Sequence, residues 1–290
     1  MRTSLRLLIT LLVVAIAIAA GMWLWHYSLY TPWTRDGRVR ADIVTIAPDV
    51  TGRVETVAVA DTEHVEQGQV LFRLDAARYK AAVAKAEAVV ANRLATLELK
   101  RHEEARRNRL SNQAISSENR EIARIETRLA EANLAQAQAE LQQARLDLER
   151  SVVRAPADGF VLNLQLAEGN HVARGEAVMA LVEEGSFYVT GYFEETKMPH
   201  IQIGDSAIVW LMSGDTRLTG QVAGIARGIA DTNTTLNEQL LPQVEPTFSW
   251  VRLAQRIPVR IALDEIPEGT LLSAGMSATV RIVDDTGTQD

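Results

Sequence analysis

The chain opens with an almost unbroken apolar run from Leu7 to Trp25, preceded by Arg2 and Arg6. Its length approaches the roughly 20 residues that cross a bilayer as a helix. Trp23, Trp25, Tyr27 and Tyr30 gather at its end, as amphipathic rings do at a membrane interface. A cleaved leader is the alternative, with Ala17-Ile18-Ala19 as its small-residue site, but that site falls inside the run and not after it. Arg35, Arg38 and Arg40 follow the run much as Arg2 and Arg6 precede it, so charge does not fix its orientation.

Tyr30 to Ala41 reads as a short polar connector, and Asp42 to Asp75 as short strands alternating apolar and polar positions. Ala76 to Leu110 contains no Gly or Pro and is rich in Ala, Leu, Glu, Lys and Arg, which predicts a helix. Ser111-Asn112 breaks it. Ser116-Ser117-Glu118 supplies the cap chemistry for a second helix reaching about Arg150. Ala130, Leu134, Ala137, Leu141, Ala144 and Leu148 alternate spacings of four and three, a heptad seam. No third long helix follows, so the seam predicts a two-helix hairpin and not a bundle. Strand patterning returns after Ser151 and continues from Phe187 to Val283. The best strand candidates there are 187–193, 206–211, 219–225, 258–263 and 277–282, and such a helix-free series predicts a small barrel. Ala230 to Pro246 is polar and reads as a long mobile loop, and 284–290 as a tail.

The strands on either side of the hairpin repeat one another. Ala47-Pro48-Asp49-Val50-Thr51-Gly52 answers Ala155-Pro156-Ala157-Asp158-Gly159. Gly52 to Val65 and Gly159 to Val172 are both thirteen positions, Val65 to Gly68 and Val172 to Gly175 both three, and Gly68 to Leu74 and Gly175 to Leu181 both six. Agreement at three successive intervals marks an internal repeat. One copy cannot bury its own apolar face, and two packed together can. Gly52 and Gly159 are most simply explained as turns that a side chain would strain.

Paired half-motifs of this form, split by a coiled coil, resemble the biotinyl/lipoyl-type domain of HlyD-type membrane fusion proteins, the periplasmic adaptors of Gram-negative efflux pumps. Pro32-Trp33-Thr34-Arg35-Asp36-Gly37-Arg38, the segment Ser186–Val189 with Glu194-Glu195-Thr196-Lys197, and Trp250 to Arg260 bring the resemblance closest to the membrane fusion subunit of p-hydroxybenzoic (aromatic carboxylic) acid efflux pumps. The resemblance runs from the apolar segment to about Val283. It implies an N-terminus in the cytoplasm, the bulk in the periplasm of a Gram-negative cell, and a single pass through the inner membrane.

Composition narrows the function further. The 290 residues include no cysteine, which removes disulfides, thiol chemistry and a lipoprotein anchor. A formal charge of −7 argues against a nucleic-acid partner. His26, His64, His102, His171 and His200 form no H-x-x-x-H or H-E-x-x-H pattern. His64 and His171 occupy equivalent places in the two copies, where inherited surface residues outweigh a paired metal site. Glu183-Glu184 and Glu194-Glu195 point to opposite faces if on strands, so they make poor catalytic pairs. Phosphate-loop and serine-esterase motifs are absent from the sequence. A carrier domain would need a modifiable lysine where Leu74-Asp75-Ala76-Ala77-Arg78 instead enters the long helix. Neither an enzymatic activity nor a cofactor nor a metal is expected.

The tip of the hairpin carries the candidate site. Adaptors that dock on TolC-type outer-membrane channels resemble R-x-x-x-L-x-x-x-x-x-x-S there, a spacing met by Arg106, Leu110 and Ser117, with Ser116 as the alternative serine. Arginine can bond a partner's carbonyls or carboxylates, leucine fill an apolar groove, and serine bond main chain. A generic polar tip with a helix cap would look similar without docking anything.

The expected fold is thus α+β and elongated: residues 1–29 as cytoplasmic end and anchor, 30–41 as connector, 42–75 plus 151–184 as a split lipoyl-like sandwich, 76–150 as an antiparallel coiled-coil hairpin, 185–283 as a small barrel and 284–290 as a tail. The resemblance implies an adaptor ring of three or six copies between an inner-membrane exporter of the aromatic-acid (fusaric-acid-resistance) type and a TolC-type channel. An adaptor for a multidrug major-facilitator pump and a purely structural envelope tether are the competing readings.

Overall fold

The computed structural model describes residues 11–19, 21–22, 31–109, 116–214, 216–229, 234–236, 242–244, 254–267 and 269–283. They fall into two compact units, residues 43–184 and residues 1–42 with 185–290. The fold class is α+β, with a helical hairpin and a closed barrel.

Unit 43–184 contains β2 (Ile43–Ile46), β3 (Gly52–Val57), β4 (His64–Val65) and β5 (Val70–Leu74) before the hairpin. After it come β6 (Val152–Arg154), β7 (Gly159–Leu162), β8 (His171–Val172) and β9 (Met179–Glu183). They form two antiparallel four-stranded sheets, ordered β2-β9-β7-β4 and β6-β5-β3-β8. Each sheet takes two strands from each copy of the repeat. The short strand of one copy pairs with the glycine strand of the other: Val65 lies opposite Gly159, and Val172 opposite Gly52. The loops interlock with the same symmetry. Val161 N–H donates to Glu63 O and Val54 N–H to Asn170 O, while Gly68 N–H donates to Ala155 O and Gly175 N–H to Pro48 O, all at 2.8–2.9 Å. One core holds both copies, with Val54, Val65, Leu71, Phe72 and Leu74 of the first against Val161, Val172 and Leu181 of the second.

The turn expected at Gly52 and Gly159 is corrected here. Both begin strands without positive φ, and the need for glycine is space. A Cβ at Gly159 would stand 2.2 Å from Val182 O, and one at Gly52 would stand 3.2 Å from the Leu74 Cβ. Gly68 (φ 82°) and Gly175 (φ 79°), equivalent in the two copies, are among the left-handed positions, where glycine is favoured.

The hairpin is α1 (Ala77–Arg109) and α2 (Ser117–Glu149), each 33 residues and about 50 Å long. On α2 the face toward α1 buries Ala123, Thr127, Ala130 and Ala137, which carries the four-and-three spacing one heptad nearer the tip than the sequence seam. On α1 the buried positions are Tyr79 and Leu97. The Tyr79 hydroxyl donates to Thr51 O at 2.6 Å, tying the base of α1 to the sheets. Asp75, just before α1, accepts from Ala77 N–H at 2.9 Å.

In the other unit, β1 (Trp33–Arg40), β10 (Tyr188–Glu194), β11 (Ser206–Leu211), β12 (Arg217–Ile225), β15 (Arg256–Leu263) and β16 (Ser277–Val283) close a six-stranded barrel in the order β1-β10-β15-β12-β11-β16. Val39, Val189, Phe193, Val209, Val259, Ile261 and Val280 are fully buried within it. The connector assigned to residues 30–41 is a second correction. Residues 33–40 are the barrel strand that pairs with β10 and β16 and closes the ring. The stretch 230–246, expected as a loop, carries a two-stranded antiparallel pair, β13 (Thr234–Leu236) with β14 (Pro242–Val244).

Residues 11–19 and 21–22 are helical. Among the described residues no helix is long and apolar enough to cross a membrane. Residues 1–10, Trp23, Trp25, Tyr27 and Tyr30 of the expected anchor, and the tail 284–290, lie outside the described residues.

Candidate partner-docking site

The end of the hairpin is built by two helix termini. The last turn of α1 carries Arg106, Arg107 and Arg109, and the first turn of α2 carries Glu118. Each sign complements its helix end, where the backbone leaves carbonyls or N–H groups unpaired. Arg106 is exposed, as a docking residue must be. Leu110 lies outside the described residues.

The two candidate serines have different roles. Ser116 precedes α2 in extended conformation, and its Oγ accepts from Asn119 N–H at 3.2 Å. It is the N-cap. Ser117 is the first helical residue and is exposed. Arg106 and Ser117 are thus exposed groups at the two helix ends, and Ser116 is the cap of α2.

Polar links hold the two helices in register behind the tip. Lys100 of α1 reaches Glu126 of α2 at 3.1 Å and Glu103 at 3.2 Å. Those hydrogen bonds, Glu126 first and Glu103 second, hold the Lys100 ammonium above its ordinary pKa. Arg101 meets Glu131 at 2.8 Å, and Arg145 meets Glu87 at 2.8 Å nearer the base. The Thr127 hydroxyl, buried in the seam, donates to Ala123 O at 3.1 Å within its own helix. Sequence reasoning passed over these cross-helix pairs because a two-helix register cannot be read from either helix alone. It also passed over Ile122, Ile125 and Leu129, which are 42%, 49% and 61% exposed on one side of α2. Their three-and-four spacing was the available signal.

His64 and His171 sit on different sheets. His64 pairs with Glu184 at 2.8 Å and meets the Phe160 ring edge-on at 5.0 Å. Among the described residues no cluster of His, Cys, Asp or Glu is arranged to hold a metal ion.

Comparison with known proteins agrees with this anatomy. Residues 77–149 match the α-helical hairpin domain of the pHBA AAEA subunit, and residues 186–283 match the AAEA-like β-barrel domain. The uncharacterized protein YdhJ of Escherichia coli (strain K12) is 38% identical over 273 residues, covering 94% of this chain and 96% of that one. Two solved structures share the fold. The membrane fusion protein Spr0693 from Streptococcus pneumoniae R6 has a TM-score of 0.63 at 17% identity, over 88% of this chain and 99% of its own. MacA from Actinobacillus actinomycetemcomitans has a TM-score of 0.59 at 18% identity, over 88% of this chain and 82% of its own. The chain belongs to the HlyD-type membrane fusion proteins, the adaptors of efflux systems, and stands close to the subunit of p-hydroxybenzoic acid pumps.

Proposed function

We propose that the chain is the periplasmic adaptor of a tripartite pump, held in the inner membrane by its N-terminal segment and joining an exporter to a TolC-type outer-membrane channel. The interlocked sheets are read as the lipoyl-like module, with the swinging lysine arm replaced by the hairpin. The adaptor acts as a ring of copies and catalyses no reaction. Its cargo is an aromatic carboxylic acid, carried by an exporter of the aromatic-acid type. The observation that carries this reading is the hairpin itself. A family-matched pair of helices stands on a rigid base, bonded across the seam, and ends in an exposed arginine and serine.

Two measurements test it. Cells lacking the gene should accumulate p-hydroxybenzoate and grow poorly in its presence. Unchanged tolerance to the acid together with new sensitivity to unrelated drugs would instead support a multidrug adaptor, and no sensitivity at all a structural tether. Arg106→Asp should remove export while leaving the protein folded, because the favourable charge it removes from the helix end is worth only about 0.3–1 kcal/mol and a reversed charge opposes docking. Wild-type export by that variant would remove the tip from the docking site.

A further inference from the structure

Charge is distributed unevenly around the barrel. β16, β1, β10 and β15 are consecutive in the ring and carry six exposed arginines, Arg35, Arg38, Arg40, Arg256, Arg260 and Arg281. The same strands carry two carboxylates, Asp36 and Glu194. The other two strands, β11 and β12, carry one charged residue, Arg217. A chain of net charge −7 therefore turns one strongly cationic face outward.

Strand register packs these arginines together. Arg38 and Arg260 lie on either side of Thr190, and Arg40 lies beside Tyr188. Tyrosines hold two of them flat against the sheet. The Arg260 guanidinium lies 3.8 Å from the Tyr188 ring centroid, and Arg40 donates to the Tyr192 hydroxyl at 3.0 Å. Where β1 begins, Trp33 is flanked by the Arg35 guanidinium at 5.5 Å and the Lys197 ammonium at 5.3 Å. Arg256, paired with Asp36, lines the same shallow cleft as Trp33 and Tyr192. Arg38 and Arg260, on the strands either side of β10, give this face a positive field that an extended anionic surface complements. Tryptophan and tyrosine interleaved with arginine is also the chemistry of a membrane–water interface.

We propose that this face docks on the anionic phospholipid headgroups of the membrane holding the N-terminal segment. The proposal rests on the anchor of the preceding subsection. Trp33 stands four positions beyond residue 29, where the expected anchor ends. Four extended residues reach at most about 14 Å, and the headgroup layer on each side of a bilayer is roughly 5–8 Å deep. The face's own strand therefore starts within or just above the headgroups. An acidic protein partner is the other occupant that charge alone would allow.

The chain has no cysteine, so one introduced thiol gives one label. Thr279→Cys on β16 and Thr219→Cys on β12 mark the cationic side and the opposite side of the barrel. The full chain is labelled with a fluorophore and reconstituted in nanodiscs containing brominated lipid, with or without phosphatidylglycerol. The label at 279 should be quenched more strongly than that at 219 only when phosphatidylglycerol is present. The difference should vanish near 1 M salt, where screening acts within about 3 Å. Arg38→Gln and Arg260→Gln should each weaken the lipid contact about fivefold. Equal quenching at the two positions, or quenching indifferent to phosphatidylglycerol, overturns the proposal and is what an acidic protein partner predicts. Extraction of the chain from neutral membranes by alkaline carbonate would remove the anchor alone. Quenching in phosphatidylglycerol discs would still report on the face.

Discussion

Gly52 and Gly159 occupy equivalent places in the repeat and still should not tolerate substitution equally. A methyl group at Gly159 meets a backbone carbonyl of the neighbouring strand, which cannot move without breaking the ladder. At Gly52 it meets the Leu74 Cβ at 3.2 Å, an overlap that a shift of a few tenths of an ångström relieves. Gly159→Ala should cost about 1–3 kcal/mol as overpacking, and Gly52→Ala clearly less. Thermal unfolding of the two variants side by side checks the order, and equal losses would mean that the contact does not set the cost. The serines divide in the same way. Ser116→Ala removes a cap worth about 1 kcal/mol, whereas Ser117→Ala should leave stability unchanged and weaken only docking to the channel. Equal destabilisation by both would show that Ser117 also serves the helix terminus. The cap chemistry of this region was legible in the sequence, because serine followed by a helical run with Glu118 has few other uses. Which serine performs it was not, because that depends on one N–H to Oγ distance.

At the scale of elements, legibility follows the number of apolar positions per strand or helix. The hairpin was readable because its seam repeats over many turns, with Ala130 and Ala137 in the middle of it. Filling that seam should separate the helices. Ala137→Leu should lower the midpoint of helix melting by circular dichroism through overpacking of about 1–3 kcal/mol, and an unchanged midpoint would mean the helices are not packed there. Strand β1 was not readable. Its inward positions are Gly37 and Val39 and its outward ones include Arg38 and Arg40, so little apolar alternation remains. Its role is nonetheless structural. Val39 is fully buried among Val189, Ala278 and the other core residues, and Val39→Asp should leave an uncompensated charge there at about 3–5 kcal/mol. A polar connector would accept that substitution, so a folded Val39→Asp barrel would restore the connector assignment. The tip lies between these cases. Its helix ends were legible from composition, while the pairing of Arg106 with a serine came from family resemblance and not from any local physical signal.

At the scale of the whole molecule, the repeat explains why the hairpin has a rigid base. Had each copy folded by itself, two small sheets would each leave an apolar face open, and α1 and α2 would enter from independent bodies. Instead β3 pairs with β8 and β4 with β7, so each copy completes the other's sheet. The buried residues Val54, Leu74, Val161 and Leu181 belong to one core. Neither half can then open while the other stays protected. Thermal unfolding of the full chain, with hydrogen exchange followed separately at Leu71–Leu74 and Leu181–Glu183, tests this directly. In wild type both segments should exchange at one common rate governed by a single opening. Gly159→Ala, made in the second copy alone, should accelerate both by the same factor, about 5–150-fold for a loss of 1–3 kcal/mol. Acceleration confined to Leu181–Glu183 would mean that the copies are independent domains sharing a boundary. The pairing of β4 with β7 would then contribute little to stability. If both accelerate together, the covalent gap between the copies is filled by the hairpin for a physical reason. A two-piece module that folds only when its halves meet holds the ends of α1 and α2 together, and the helices can extend without a third element to support them.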